Sequence, residues 1–409
     1  MLVIRGATIV TPDGRLEEGD LRLAAGRIQA LGRPAALDAP PGAPAIAAAG
    51  HILAPGLLDL QLNGGFGHDF SRDPASIWAV AARLPELGVT GFTPTLVSPS
   101  PERVAQAQAV LAAGPPAGWR GARPLGLHLE GPYLNPAKRG AHPAAALRPP
   151  PAAEGLDWSP QTGVRLVTLA PELPGALALT AALVERGLVV AAGHSAASFD
   201  EGRAAIAAGV RYATHLFNAM PPLHQRQPGL VGALLDDERV TLGLIADGQH
   251  VHPAMIRFLW RAAAGRINLV SDAMAALGRP AGNYPLGEQT ANLQAGAPTR
   301  FGARGEPLAG APRLANGVLA GSARPLAAGL KNLLAWTGCA PAEALAAVTT
   351  TPARLLGLEG AKGRLAAGHD ADLVLLTPQL EVALALVSGE VVFDRLGQPA
   401  RAGGRGRAR

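Results

Sequence analysis

The middle of the chain repeats a pattern of short apolar strands followed by helical segments, and this repeat constrains the fold most. Several of the intervening segments open with Pro, Ser or Asp, which is typical of helix N-termini. Eight consecutive β-α units favour the α/β class and a (β/α)8 barrel of the TIM type. The candidate strands are residues 57–63, 89–95, 124–130, 164–170, 188–194, 210–215, 241–247 and 267–272.

The two ends of the chain carry strand patterns without long helices. Residues 1–53 alternate as β strands, and residues 351–400 predict further strands at 363–365, 372–376 and 390–393. Because chain termini often lie close together, we expect the two pieces to form one small β-sandwich beside a barrel of residues 54–350. Residues 278–316 are rich in Gly, Pro and Ala and do not fit a β-α unit, so they predict an insertion in the barrel.

Composition limits the partners and the compartment. The single cysteine, Cys339, excludes an intramolecular disulfide, and no apolar run reaches 18 residues, so we expect a cytoplasmic protein without a membrane span. Four of the five excess positive charges lie in residues 401–409, an Arg-rich tail that we expect to be disordered. No nucleic acid partner is expected, with an RNA contact through this tail as the alternative.

Four predicted strands end in a residue that can bind a metal or transfer a proton: Glu130, His194, His215 and Asp272. Barrel active sites gather at the C-terminal ends of the strands, so these side chains should meet. Two imidazoles and a carboxylate suit a zinc ion with one position open to water, and Asp272 would act as the general base. The alternatives are a salt-bridged Glu130, two hydrogen-bonded core histidines and an N-capping Asp272.

Further polar residues follow the predicted strands. His142 and His250 lie in loops after the third and seventh strands, where a histidine is either solvated or able to polarise a carbonyl or bind a phosphate. Arg226 is a second phosphate candidate, with a plain surface arginine as the alternative. Asp247 is a candidate partner for a substrate hydroxyl.

The first strand carries Gln61 and Asn63, where many barrel metallohydrolases carry a His-x-His pair that builds a two-metal site. Amides are poor zinc ligands, so this strand predicts one tightly held metal ion rather than two. Both residues are expected to line the site.

Several motifs in one order resemble the N-acetylglucosamine-6-phosphate deacetylase family of the amidohydrolase superfamily. The resemblance is specific from about residue 54 to 269 and looser at both ends. The stretches that carry it are residues 55–64, 126–135, 138–142, 168–172, 192–195, 213–220, 245–251 and 319–322.

The resemblance implies a metal held by Glu130, His194 and His215, with Asp272 as acid and base and His142 near the scissile carbonyl. It implies a single divalent ion, Zn²⁺ by ligand type, although Fe, Co or Mn would fit the same ligands. It also implies a homodimer whose phosphate site is partly reached across the interface, and release of acetate from N-acetylglucosamine-6-phosphate. The implied substrate contacts are Ala141, Asn218, Ala219, Arg226, His250, Leu319, Ala320, Gly321 and Ser322.

The chain departs from the family pattern on the substrate side. Residues 323–326 read Ala-Arg-Pro-Leu instead of a Leu-Thr-Met-like helix start, and the 278–316 insertion is longer than usual. Two alternatives therefore stay open. The substrate could be N-acetylgalactosamine-6-phosphate or another N-acyl compound, or the barrel could bind or assemble without catalysis.

Overall fold

A computed structural model of the chain describes residues 1–11, 15–38, 42–152, 155–295 and 310–396. In these ranges, no helix is both long and apolar enough to cross a membrane. The predicted tail at 401–409 lies outside the described residues.

The strands alternate with helices through the middle of the chain. In chain order the strands are β1 (Leu2–Val10), β2 (Leu16–Ala24), β3 (Arg27–Gly32), β4 (Ala45–Ala47), β5 (Ile52–Pro55), β6 (Leu57–Leu62), β7 (Gly64–Gly65), β8 (His68–Asp69), β9 (Val89–Val97), β10 (Arg123–Pro124), β11 (Leu127–Glu130), β12 (Val164–Leu169), β13 (Val189–Ala192), β14 (Tyr212–Ala213), β15 (Thr241–Leu244), β16 (Ile267–Leu269), β17 (Gly282–Leu286), β18 (Gln289–Leu293), β19 (Leu373–Leu376), β20 (Val382–Val387) and β21 (Glu390–Asp394). The α-helices are α1 (Ile77–Ala81), α2 (Pro101–Ala113), α3 (Ala176–Glu185), α4 (Phe199–Ala208), α5 (Gly229–Asp236), α6 (Pro253–Ala263), α7 (Leu326–Thr337), α8 (Pro341–Ala346) and α9 (Thr350–Leu355).

Eight parallel strands form the predicted barrel, in the order β6, β9, β11, β12, β13, β14, β15 and β16. The first and last strands nearly close it, because Asp272 N–H donates to the Gln61 carbonyl at 2.9 Å and Leu62 bridges Ala273 in parallel. This closure brings residues from the first and last strand ends together at one rim. The predicted barrel is confirmed.

The barrel strands are buried on both faces because the helices cover their outer side. All nine residues of β9 are buried, and the residues of β6 and β11 are buried throughout. The helices begin where the sequence supplies caps. Ser100 caps α2 just before Pro101, and Ser198 with Glu201 forms a capping box at α4. The strands therefore have rigid support beneath the rim.

Both ends of the chain build one small domain, as predicted. Its strands form a single mixed sheet in the order β21, β20, β19, β5, β1, β2 and β3, with β4 beside β1. The antiparallel pairing of Val374 with Ala54 joins the two ends. The predicted strand at 363–365 is wrong, because Gly363 takes a left-handed φ of 81° that interrupts extended backbone. The sequence reading also missed β20.

The described part of the predicted insertion contains the hairpin of β17 and β18, which are antiparallel. Residues 296–309 of the insertion lie outside the described residues. Beyond them, Arg313 bridges both Asn292 and Leu319. This bridging holds the 318–321 segment between the hairpin and the barrel rim.

Candidate metal centre and active site

The four predicted rim residues all lie at or just beyond strand ends. Glu130 ends β11, while His194, His215 and Asp272 follow β13, β14 and β16. The backbones of His194, His215 and Asp272 are left-handed, with φ of 49°, 28° and 46° respectively. This conformation is strained for any residue except glycine, and such strain concentrates at functional sites. The backbone is therefore strained at three of the four residues that the sequence predicts to bind a metal or transfer a proton.

The three predicted ligands converge on one point. Glu130 Oε1 lies 3.2 Å from His194 Nε2 and 3.0 Å from His215 Nε2, and the two nitrogens are 3.0 Å apart. His194 Nδ1 lies 2.9 Å from the Lys138 carbonyl, which can only accept, so Nδ1 carries the proton and Nε2 offers its lone pair. All three ligand side chains are buried. This donor set fits a divalent metal ion, and its ligand types suit zinc.

The surroundings of Glu130 and His215 shift the pKa of both groups. Burial alone would raise the pKa of Glu130, but the adjacent His194 and His215 imidazoles hold that pKa well below its usual range. Burial would lower the pKa of His215, yet the hydrogen bond and charge of Glu130 give a net rise. The carboxylate therefore stays ionised and ready to bind a cation.

Asp272 lies beside the three ligands, and its pKa is shifted in the opposite direction from that of Glu130. Burial, with the nearby charge of Glu130, raises its pKa to about 6. Its Oδ1 accepts a hydrogen bond of 2.8 Å from Asn63 Nδ2. A carboxyl with a pKa near neutrality can both take and return a proton, as general acid–base catalysis requires.

The two amides of the first strand orient carboxylates. Gln61 Nε2 donates to Glu130 Oε1 at 2.9 Å, as Asn63 does to Asp272. Asn63 lines the cavity, whereas Gln61 lies behind Glu130 and does not line it. Strand one thus supplies hydrogen-bond donors instead of a second set of metal ligands.

His142 stands at the edge of the ligand cluster. Its ring packs edge-on against His194 with centroids 4.4 Å apart, and its Nε2 lies 3.8 Å from Glu130 Oε2. Burial, together with the neighbouring His194, lowers the pKa of His142 to about 3. The imidazole is therefore neutral at physiological pH, and it can still donate one hydrogen bond.

A cavity of about 320 Å³ opens onto these groups and brings most of the predicted residues together. Its volume is at the lower end of the range for small-molecule sites. The predicted residues that line it are Asn63, Glu130, Ala141, His142, His194, His215, Asn218, Ala219, His250, Asp272, Leu319 and Gly321. Lining residues that the sequence reading did not assign are Val97, Ala137, Lys138, Gly140, Ile245, Leu286 and Val318.

The remaining predicted residues lie outside the lining. Asp247 is buried behind His250, with Oδ2 at 2.8 Å from His250 Nδ1. Ala320 and Ser322 are buried beside the cavity, and Arg226 is exposed in the 221–227 loop. A single chain therefore does not bring Arg226 to the cavity, and its role as a phosphate contact stays a prediction.

Ser98 is a buried polar residue that the sequence reading missed. It follows β9, and its hydroxyl lies 2.7 Å from His142 Nδ1. The predicted strand ended at residue 95, three positions before Ser98, whereas Glu130, His194 and Asp272 were identified as the last residues of their predicted strands. Lys138 was within reach, because it opens the 138–142 motif.

Comparison with known proteins agrees with this geometry. The sequence profile of the Amidohydrolase family matches residues 52–392. N-acetylglucosamine-6-phosphate deacetylase of Homo sapiens is 41% identical over 361 residues, which cover 84% of each chain. N-acetylgalactosamine-6-phosphate deacetylase of Escherichia coli O157:H7 is 36% identical and covers 95% of this chain and 98% of its own.

A solved structure gives the same fold. N-acetyl-D-glucosamine-6-phosphate deacetylase of Mycobacterium smegmatis, in complex with N-acetyl-D-glucosamine-6-phosphate, superposes with a TM-score of 0.83 at 36% identity. The match covers 96% of this chain and 99% of that one. The chain therefore belongs to the amidohydrolase family, and within it to the family that the N-acetylglucosamine-6-phosphate deacetylases define.

Proposed function

We propose that this chain removes the acetyl group from N-acetylglucosamine-6-phosphate and releases glucosamine-6-phosphate and acetate. The observation that carries the proposal is the meeting of Glu130, His194 and His215 with Asp272 and His142 at one cavity. The relatives named above act on N-acetylated hexosamine 6-phosphates, which supports this substrate class.

Glu130, His194 and His215 would hold one divalent metal ion, for which we propose Zn²⁺. When bound, such an ion supplies a Lewis acid that polarises the acyl carbonyl and makes water a better nucleophile at neutral pH. His194 is prepared for this role, because its Nδ1–H is held by the Lys138 carbonyl.

Asp272 performs the proton transfers. Its Oδ1 is held by Asn63, so we assign Oδ2 as the oxygen that takes a proton from the attacking water. The same oxygen then returns this proton to the amine nitrogen as the amide C–N bond breaks. A pKa near 6 suits both steps.

His142 donates from Nε2 to the carbonyl oxygen as negative charge develops there. It is buried and neutral, so it stabilises this charge through a hydrogen bond in a water-poor site. Ala141, Asn218, Ala219 and the 319–322 segment surround the remaining space for the sugar.

The phosphate is assigned to His250, which lines the cavity, and to Arg226 of a second copy of the chain. We propose a cytoplasmic homodimer, in which the exposed 221–227 loop of one subunit reaches the cavity of the other.

A mixture of Arg226→Ala and Asp272→Asn subunits would test this arrangement. A mixed dimer then regains one site with Asp272 and a partner Arg226, so activity above that of either variant is expected. No gain in a mixture shown to exchange subunits would exclude a shared site.

Acetate release from N-acetylglucosamine-6-phosphate, measured beside the unphosphorylated sugar and with or without a chelator, tests the function. Release that requires both phosphate and metal is expected. Release from both sugars would overturn the phosphate assignment, and release that survives complete metal removal would overturn the metal assignment.

N-acetylgalactosamine-6-phosphate is a second candidate substrate. The E. coli relative with that activity in its name matches a larger share of this chain than the human one, 95% against 84%. The two sugar phosphates differ only in the configuration of one hydroxyl-bearing carbon. Their kcat/KM values, measured side by side, decide between them.

A further inference from the structure

Ser98 connects two residues of the proposed site. Its backbone N–H donates to the Glu130 carbonyl at 2.8 Å, and its hydroxyl lies 2.7 Å from His142 Nδ1. Both Ser98 and His142 are buried, with 6% and 3% of their surface exposed. The contact is therefore shielded from water, where a hydrogen bond constrains its partners most.

The backbone of Ser98 is strained, with φ of 42°. A left-handed conformation costs a residue with a Cβ about 1 kcal/mol, whereas glycine adopts it freely. Glycine would therefore satisfy the backbone at position 98 better than serine. A serine at this strained position indicates that the hydroxyl itself has a role.

The direction of the hydrogen bond follows from the surroundings of the His142 ring. Its Nε2 lies 3.8 Å from Glu130 Oε2, and a neighbouring carboxylate oxygen favours a proton on that nitrogen. With Nε2 protonated, Nδ1 of a neutral ring must accept. Within the described ranges no other side chain hydrogen-bonds to the Ser98 hydroxyl, so it is free to donate to Nδ1.

We propose that Ser98 is a positioning residue, which donates to Nδ1 of His142 and thereby keeps a proton on Nε2 for the acyl carbonyl oxygen. This inference rests on the proposed amide hydrolysis. Without the hydroxyl, the ring could turn or adopt the other tautomer, and Nε2 would then present a lone pair that repels the developing oxyanion.

Two variants separate the hydroxyl from the backbone strain. Ser98→Ala removes the hydroxyl and keeps the strain, while Ser98→Gly removes both. We expect kcat to fall about ten- to a hundred-fold in both, with KM within about threefold. Ser98→Gly should unfold at a higher temperature than Ser98→Ala. Either variant keeping more than about a third of wild-type kcat would overturn the proposal.

The acyl group supplies a readout that a general structural defect would not change. An N-trifluoroacetyl substrate has a more electrophilic carbonyl and needs less polarisation. Ser98→Ala should therefore lose less activity with N-trifluoroacetylglucosamine-6-phosphate than with the N-acetyl compound. Equal losses with both acyl groups would assign Ser98 a merely structural role.

Nuclear magnetic resonance of ¹⁵N-histidine-labelled, zinc-loaded protein tests the tautomer without any turnover. The His142 signals are assigned by their loss in His142→Gln. We expect an unprotonated Nδ1 in the wild type and a mixture of tautomers in Ser98→Ala. A protonated Nδ1 in the wild type would overturn the inference. This result does not depend on whether an N-acyl sugar phosphate is the substrate, so it is distinguishable from a failure of the proposed function.

Discussion

The Asn63 amide donates a 2.8 Å hydrogen bond to Oδ1 of Asp272, across the seam where the first and last barrel strands meet. This bond stabilises the ionised carboxylate and lowers its pKa, against the rise that burial causes. In Asn63→Ala the pKa of Asp272 should therefore rise further above its present value of about 6. Because the base must be unprotonated, the acid limb of the kcat profile should move to higher pH. A limb that stays in place or moves to lower pH would contradict this role of Asn63.

His250 should bind the phosphate as an imidazolium. Burial alone would lower its pKa, but the charge and the 2.8 Å hydrogen bond of Asp247 give a net rise. The positive charge is therefore present at low pH and is lost as pH rises through this raised pKa. We expect KM for the phosphorylated sugar to increase over that range.

Asp247→Asn should shift this increase to lower pH, because it removes the charge that raises the pKa of His250. The unphosphorylated sugar is the control: its binding is measured as inhibition of the phosphorylated substrate, and its inhibition constant should lack this dependence. Identical KM profiles for wild type and Asp247→Asn would contradict the assignment of His250 to the phosphate.

Two glycines with similar backbones offer a matched pair of variants. Gly321 and Gly317 have φ of 73° and 82°, so alanine is strained at both. At Gly321 the added Cβ would lie 2.7 Å from the Asp272 carbonyl oxygen, whereas at Gly317 it would meet no described atom within 4 Å. Gly321→Ala should lose at least about ten-fold in kcat/KM, since a displacement near 1 Å can cost up to a hundred-fold. Gly317→Ala should lose only about 1 kcal/mol of stability. Equal kinetic losses in both variants would contradict this steric account.

Glu172 stabilises the loop that follows His194 through hydrogen bonds. Its carboxylate accepts hydrogen bonds from Ser195 Oγ at 2.6 Å, from the Ala196 N–H at 2.6 Å and from Asn135 Nδ2 at 2.9 Å. Glu172→Ala should lower the free energy of unfolding by about 2–3 kcal/mol, because three donors lose a charged acceptor. Urea denaturation measures this loss. A change below about 0.5 kcal/mol would mean that water replaces the carboxylate without cost.

The sequence predicted the barrel because its signal is local. Each strand is a short apolar run bounded by a helix start, as at Ser100 and Ser198. The rim ligands were predictable for the same reason, since Glu130 and His215 follow such runs directly. Parallel strands place these ends at one rim without further information.

Other features depend on contacts between distant residues and could not be predicted in this way. The bonds of Gln61 to Glu130 and of Ser98 to His142 join residues 69 and 44 positions apart. Strand β20 was missed because its apolar residues, from Val382 to Val387, lack the clear alternation of a half-buried strand. Arg226 was expected at the phosphate, but its loop is exposed in a single chain, so a contact between Arg226 and the phosphate requires the proposed second subunit.

Asp272→Asn tests the central claim most directly, because it removes the proposed base and leaves the three metal ligands in place. Wild type and variant are loaded with zinc, and metal content, KM and kcat for N-acetylglucosamine-6-phosphate are measured in the same preparation. The account predicts equal metal content, KM within about threefold and kcat reduced by about 10²–10⁴-fold. A metal-loaded variant with more than about a tenth of wild-type kcat would contradict it.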